Sequence, residues 1–512
     1  MTLNALRESA RLVSAGRFLP YALVFAVAIV LRLAGISVQN LWYDEHYTLR
    51  VALVPLRDLL DVLVAEEGSK PPLYFVFMHY WVKISSSEFW LRASSAFFGG
   101  VDCVAAAALG RQIFRHPRGI LLGWLLVFAP FHIYYSQEAR PYALWGALVT
   151  LTLLFQVKFC AAPQRRYLAG YVVSAFLACY TFTYSIFLLP FSVLFTWLYR
   201  PGLSSKHRSQ MAVANGLVML LYLPWLMRVF AAVTAGIGFI PLHRGPAYAA
   251  AMYTVFSLGL GISAGPSLEQ LRAMGDRIFT QAPVSSSMLV FGSLLLAAVG
   301  VSGCVLLWRT NRSAFYFSLG GVAMFLGGAA LLNIANPDVP LNPRYVLPMI
   351  VPLMVLILAG CGGVLSFSGW RRWLALLYVI TVGHSLTNHY FNPEYARDDL
   401  RSAAAFVREL QPQPQQVVVC APHLSDVFSY YLQYPLPLLP VGAPDKADAA
   451  EPALQELHRK LAGLRRFVLI YSRPDHGDRA GILRKSLTER YRVAQHRHWT
   501  GVDAFVLEAP PP

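Results

Sequence analysis

The sequence predicts an α-helical polytopic membrane protein with a small α/β domain at its C-terminal end, and three observations lead there. The chain of 512 residues is 56% hydrophobic and only 14% charged, with a mean hydropathy of +0.47; a soluble protein carries about 25% charged residues. Its apolar residues come in blocks of about 20, enough to cross a bilayer core. After His389 charge rises, and short β-branched runs alternate with helix-like stretches, the pattern of an α/β unit. A net charge of +16 and a pI near 9.6 raise the question of nucleic acid, but no basic helix or reader motif is present. The basic residues sit instead in short loops between apolar blocks, as the positive-inside rule expects.

About eleven transmembrane helices follow from the apolar blocks. They run Phe18–Val38, Phe89–Phe114, Gly119–Tyr135, Tyr142–Phe159, Tyr167–Phe182, Tyr184–Leu198, Met211–Ala232, Met288–Trp308, Ala314–Leu332, Tyr345–Leu365 and Trp373–Thr387. The first follows Arg7, Arg11 and Arg17 and is too long for a signal-peptide core, so it reads as an uncleaved span. Arg32, near its end, reads as a side chain snorkelling to the interface. Alternate loops hold Arg111, Arg115 and Arg118, then Lys158, Arg165 and Arg166, then Arg200, Lys206 and Arg208, then Arg309 and Arg312, then Arg371 and Arg372. That bias puts the N-terminus in the cytoplasm. An odd number of spans puts the C-terminal domain outside, in the periplasm or beyond it, for a multi-pass protein of a bacterial inner membrane.

The apolar run Pro72–Ile84 is too short to span and is assigned to a helix lying on or re-entering the outer leaflet. Leu56, Leu59, Leu60 and Leu63 form a helical stripe with Arg57, Asp58 and Asp61 opposite, a second interfacial helix. The outer loop 39–88 is thus structured, and a second long outer loop, 233–287, is rich in Gly and Pro; loops of such length are usually functional or disordered. Residues 1–390 make up the membrane domain and 391–512 the extracytoplasmic one. In the latter, strands are expected at Gln416–Cys420, Phe467–Tyr471, Arg492–His496 and Ala504–Leu507, with helices at Arg397–Leu410, Ala449–Leu464 and Asp478–Arg490. The six cysteines form no CxxC pair, so neither a zinc site nor a disulfide framework is expected.

The outer helix ends collect polar, aromatic-flanked segments. The first loop has Trp42, Tyr43, Asp44, Glu45 and His46, then Ser69, Lys70, Pro71, Pro72, Leu73 and Tyr74. The next has Tyr134 and Tyr135 followed by Ser136, Gln137, Glu138, Ala139, Arg140, Pro141 and Tyr142, and a later one has Asn342, Pro343, Arg344 and Tyr345. Carboxylates (Asp44, Glu45, Glu138) beside cations (Lys70, Arg140, Arg344) suit transfer from a phosphate-linked donor. A carboxylate takes the acceptor's proton and the cations stabilise the leaving phosphate.

In this order, Trp-x-Asp-Glu, Lys-Pro-Pro-Leu-Tyr, Ser-Gln-Glu-Ala-Arg-Pro-Tyr and Pro-Arg-Tyr, the chain resembles the polyprenyl-phosphate-sugar-dependent membrane glycosyltransferases of family 39. That family, of GT-C fold, includes protein mannosyltransferases and lipid A aminoarabinose transferases. The resemblance covers about the first 400 residues, and its most specific part is Ser136–Tyr142. It implies Asp44 as the catalytic acidic residue, with Glu45 beside it. It also implies Lys70, Arg140 and Arg344 near the donor phosphate; many relatives have His where Lys70 stands. Trp42, Tyr43, Tyr74, Gln137, Glu138, Tyr142 and Tyr345 would line the substrate cavity. The implied partners are a sugar on a polyprenyl phosphate, an acceptor that can be protein, lipid A, another glycolipid or a polysaccharide, and the bilayer. No cofactor is required, and a divalent metal is compatible with the site.

Plainer readings stand beside these. Glu45 either orients Asp44 or caps the following helix. Glu138 and Arg140 also fit an interfacial ion pair, worth about 0–1 kcal/mol if exposed, and Arg344 also fits snorkelling. Trp42, Tyr43, Tyr134 and Tyr135 suit an aromatic belt as well as a sugar platform. Asp102 lies inside a span, where ionisable residues are usually functional, but its mid-span position favours a buried packing pair. His384 and His389, five apart, do not share a helical face and suggest no metal site. The rival class is a lipid or sugar transporter, which would place its site near the midplane between internal repeats; here the charged motifs sit at helix ends, and no repeat is evident.

Overall fold

The computed structural model describes residues 3–509 apart from 67, 69, 200–201, 236–246, 268, 272–282, 337–338, 340, 364–368, 412, 434–435 and 443–446. By its internal contacts the chain divides into two compact units: 1–36, 48–266 and 284–387 form one, and 37–47, 267–283 and 388–512 the other.

The first unit is helical. Its helices are α1 (Leu3–Leu33), the larger part of α2 (Tyr43–Leu53), α3 (Leu56–Glu66), α4 (Leu73–Trp81), α5 (Glu88–Phe114), α6 (Leu121–Val127), α7 (Pro130–Ser136), α8 (Tyr142–Ala161), α9 (Arg165–Thr181), α10 (Leu188–Leu198), α11 (Ser205–Thr234), α12 (Ala247–Leu260), α13 (Pro283–Thr310), α14 (Arg312–Ala335), α15 (Ile350–Gly360) and α16 (Arg371–Phe391). Each expected apolar block is helical over most of its described residues, and α3 and α4 fall where the two interfacial helices were expected. Among the described residues six helices are long and apolar enough to cross a membrane, seven if the bent pair α6–α7 counts as one span. Of the second long loop, 236–246 and 272–282 lie outside the described residues, and α12 lies between them.

Why these helices pack as they do follows from the bilayer. Lipid offers no hydrophobic drive between helices, so close approach relies on small residues. A Cβ on Gly303 of α13 would lie 2.2 Å from the Leu356 carbonyl oxygen, and one on Gly360 would lie 2.1 Å from that of Val299, so α13 and α15 meet backbone to backbone. α8 and α15 are almost wholly buried, whereas α11 and α14 expose Leu220, Phe230, Leu331 and Ile334, apolar surface suited to lipid. Each of the basic loops places a cation against a ring: Arg111 on Tyr21, Arg166 on Tyr167, Arg208 on Trp197, Arg312 on Trp308 and Arg371 on Trp370. Rings and long cationic stems at one set of helix ends are the anatomy of a membrane interface.

Two expectations need correction. The block Gly119–Tyr135 is not one straight helix: it bends by 62° between α6 and α7, because Pro130 has no N–H to continue the ladder. Arg32 does not snorkel. It is fully buried, and its guanidinium donates to the Leu126 and Val127 carbonyl oxygens at the end of α6, at 3.1 and 3.4 Å.

The second unit is α/β. A five-stranded sheet has the order β2-β1-β3-β5-β4, with β1 (Val417–Cys420), β2 (Leu438–Val441), β3 (Arg466–Ser472), β4 (Arg492–Trp499) and β5 (Val502–Glu508). β1 runs parallel to β2 and β3, while β5 runs antiparallel to β3 and β4. Helices α17 (Leu400–Glu409), α18 (Ser425–Leu432), α19 (Ala447–Leu461), α20 (Pro474–Gly477) and α21 (Ile482–Arg490) complete it. Leu457, Leu461, Leu483 and Leu487 pack on Val418, Phe467 and Leu469 of the central strands. Four strands and three helices lie where the sequence pattern puts them; β2, α18 and α20 are additional.

Candidate active site

The Trp42–Glu45 segment opens a helix. Asp44 and Glu45 occupy the first turn of α2, where carboxylates complement the unpaired N–H groups and the helix dipole. The two have unlike surroundings. Glu45 is fully buried and its Oε2 lies 2.5 Å from Arg397 Nη1, whereas Asp44 is half-buried. Burial of the Glu45 charge is tolerable because a guanidinium neutralises it. Glu45 therefore serves as more than a cap, and Asp44 is less exposed than a surface carboxylate.

Around them the second unit builds a cation–aromatic cluster. Arg397 and Arg473 both face the Trp42 ring, at 5.9 and 5.8 Å from its centroid. Arg473 Nε is 2.5 Å from Asp398 Oδ2, and the Asn40 amide donates to the Asp398 carbonyl oxygen at 2.8 Å. Tyr43 stands edge-on to His423 at 5.2 Å, and His423 edge-on to His476 at 5.5 Å. Burial, with the charges of Arg473 and His476 behind it, pushes the His423 imidazole down to about 4, against an opposing pull from Asp475 and Asp44. His423 is thus neutral at pH 7.

The first unit holds the other expected residues. The end of α7 and the turn after it bury Ser136, Glu138 and Arg140. Arg140 Nη1 donates to Thr48 Oγ1 at 3.3 Å, and Thr48 stands four residues after Asp44 in α2. The Gln137 amide donates to the Arg32 and Ala34 carbonyl oxygens at 3.1 and 2.8 Å. The Asn342 side chain caps the turn of Pro343–Met349 and brings Arg344 over the rings of Tyr345 and Tyr142, at 5.2 and 6.0 Å. Phe182 and Tyr184 extend that aromatic wall to Tyr345. Tyr74 is buried against Phe75, and Lys70 is half-buried just ahead of α4.

Arg397, Arg473 and His423 escaped the sequence reading. Arg397 reads there only as the start of a helix, and nothing local marks it as the partner of a carboxylate 352 residues earlier. No group of three or more His, Cys, Asp or Glu among the described residues could hold a metal ion.

No family model matches the sequence, and no curated protein matches it. Solved structures do. ArnT from Cupriavidus metallidurans in the apo state superposes with a TM-score of 0.56 at 15% identity, covering 96% of this chain and 98% of that one. ArnT from the same organism bound to undecaprenyl phosphate gives 0.46 at 14%, covering 95% and 97%. The oligosaccharyltransferase of Archaeoglobus fulgidus, in a complex with Zn and sulfate, gives 0.46 at 12%, covering 94% of this chain and 72% of that one. The likeness to apo ArnT establishes the fold, and the GT-C architecture implied by the sequence motifs is the one present.

Proposed function

We propose that the protein is a membrane glycosyltransferase that moves a sugar from a polyprenyl-phosphate donor to an extracytoplasmic acceptor. The observation that carries this reading is the unequal pair at the start of α2: Glu45 is buried and neutralised by Arg397, while Asp44 beside it is only half-buried. Adjacent carboxylates in unlike environments suit different tasks. Asp44 takes the proton of an acceptor hydroxyl as that oxygen attacks the anomeric carbon. The bond from the anomeric carbon to the phosphate oxygen breaks, and its electron pair leaves with the lipid phosphate. Arg140, Lys70 and Arg344 stabilise the departing anion. One displacement with one base inverts the anomeric configuration. The half-buried rings of Tyr184 and Tyr345 suit a sugar platform, and the fold shared with ArnT supports a lipid-linked donor.

Transfer of a labelled sugar from polyprenyl-phosphate donors in membranes carrying the protein tests the reading; a protein that only translocates such donors would leave the label on the carrier. Arg140→Ala is expected to weaken use of the donor by about 10- to 150-fold, the worth of a charge-assisted contact to phosphate. Arg140→Lys should recover only part, since an ammonium has no fork. Donor kinetics unchanged in Arg140→Ala would remove that residue from the site.

The reading also requires the second unit to lie outside the cytoplasm, with eleven spans preceding it. The loops whose cations stack on Tyr21, Tyr167, Trp197, Trp308 and Trp370 would then face the cytoplasm. A phosphatase fused after Pro512 should be active and a fluorescent protein fused there dark, if the fluorescent protein matures only in the cytoplasm. The opposite pattern refutes this topology.

A further inference from the structure

Inside the first unit lies a fully buried set of ionisable groups that the proposed reaction does not use: Arg32 on α1, Asp102 on α5 and His132 on α7. Arg32 Nη2 is 2.7 Å from His132 Nδ1, and His132 Nε2 is 3.0 Å from Asp102 Oδ2. A guanidinium only donates, so Nδ1 accepts, Nε2 carries the proton, and a neutral imidazole bridges a cation to an anion. Charges in a membrane domain are costly and seldom kept without a task. The same guanidinium donates to Ala28 on its own helix at 3.1 Å and to the two carbonyls at the end of α6. It therefore caps the broken end of one half-span while gripping, through His132, the half that follows. There is little slack: a Cβ on Gly99 would lie 2.3 Å from Ser136 Oγ and 2.8 Å from Arg32 Nε.

What α7 delivers is the turn that holds Arg140. Ser136 Oγ donates to the His132 carbonyl oxygen at 2.6 Å, and Gln137 donates to the carbonyl oxygen of Arg32 itself at 3.1 Å. Arg32 thus grips α7 with its side chain and the following turn with its backbone. We propose that Arg32, Asp102 and His132 are positioning residues. They fix the bend between α6 and α7, and so the place of Arg140 relative to the donor phosphate. The inference rests on the donor-site reading of Arg140 given above.

Binding of undecaprenyl phosphate to the purified full-length protein, titrated in lipid nanodiscs, separates position from folding, because the dissociation constant reports geometry and the stoichiometry reports the folded fraction. His132→Leu, which cuts both bonds, should weaken binding about 10-fold or more at unchanged stoichiometry. His132→Gln, whose amide can accept from Arg32 and donate to Asp102, should stay within about 3-fold of the parent. If His132 acts through Arg140, the pair is non-additive, and adding His132→Leu to Arg140→Ala should weaken binding no further than Arg140→Ala alone. Normal affinity in His132→Leu, reduced stoichiometry at normal affinity, no rescue by Gln, or multiplying losses in the double variant would each overturn positioning while leaving the donor site intact. Normal affinity in Arg140→Ala overturns the donor-site reading and this inference with it.

Discussion

Asp44→Asn is expected to lower sugar transfer by about 10²- to 10⁴-fold, the usual worth of a positioned general base. The substitution keeps the size of the side chain and most of its hydrogen-bonding capacity and removes only proton acceptance. Asp44 is half-buried in the first turn of α2, so the lost charge touches the helix dipole, an effect of about 0.3–1 kcal/mol. Expression and insertion should therefore stay near those of the parent. Turnover measured per folded molecule checks the expectation. Parental turnover in Asp44→Asn, together with an inactive and well-folded Glu45→Gln, would move the base to Glu45. Parental turnover in both variants would end the mechanism.

Glu45→Ala should act on stability first. It removes the carboxylate from the ion pair with Arg397, whose side chain is 10% exposed, and breaking a buried pair from one side costs about 3–5 kcal/mol. Glu45→Gln keeps an acceptor for the guanidinium and should be milder. Removing both charges, as Glu45→Ala with Arg397→Met, should recover much of the loss, because both members of the pair are then gone. Thermal unfolding of the purified protein distinguishes these cases. A Glu45→Ala protein as stable as the parent would mean that the ion pair contributes nothing to holding α2.

Much of this architecture was legible in the chain itself. Hydropathy located the helices of the first unit apart from α2 and α12, the latter falling in what reads as the loop 233–287, because burial in lipid demands long apolar runs whatever their neighbours. Alternation located β1, β3, β4 and β5 for a similar local reason. β2 was missed because Leu438–Val441 is four residues long and contains Pro440, which reads as a breaker and is tolerated only at an edge. The start of α2 was missed because Trp42–His46 is polar and carries no apolar stripe. Of the site, the motif residues were visible and their partners were not. Arg32 looked like an interfacial side chain because the sequence does not disclose that the end of α6 and His132 of α7 lie against it. Arg397 is separated from Glu45 by most of the molecule, and only the fold unites them.

The two margins of the sheet have a bearing on what the acceptor can be. A polypeptide is often captured by lending it a place beside an exposed strand, through main-chain hydrogen bonds. Here one border, β2, contains Pro440, which offers no N–H, and follows Pro437. The other, β4, is lined with exposed Arg492, His496, Arg497 and His498 and has an irregular register between Val493 and Gln495. Such borders resist docking by another strand, which also guards against self-association. A protein acceptor would thus have to present its hydroxyl as a loop or a terminus held by side chains. A lipid or saccharide acceptor loses nothing by the arrangement.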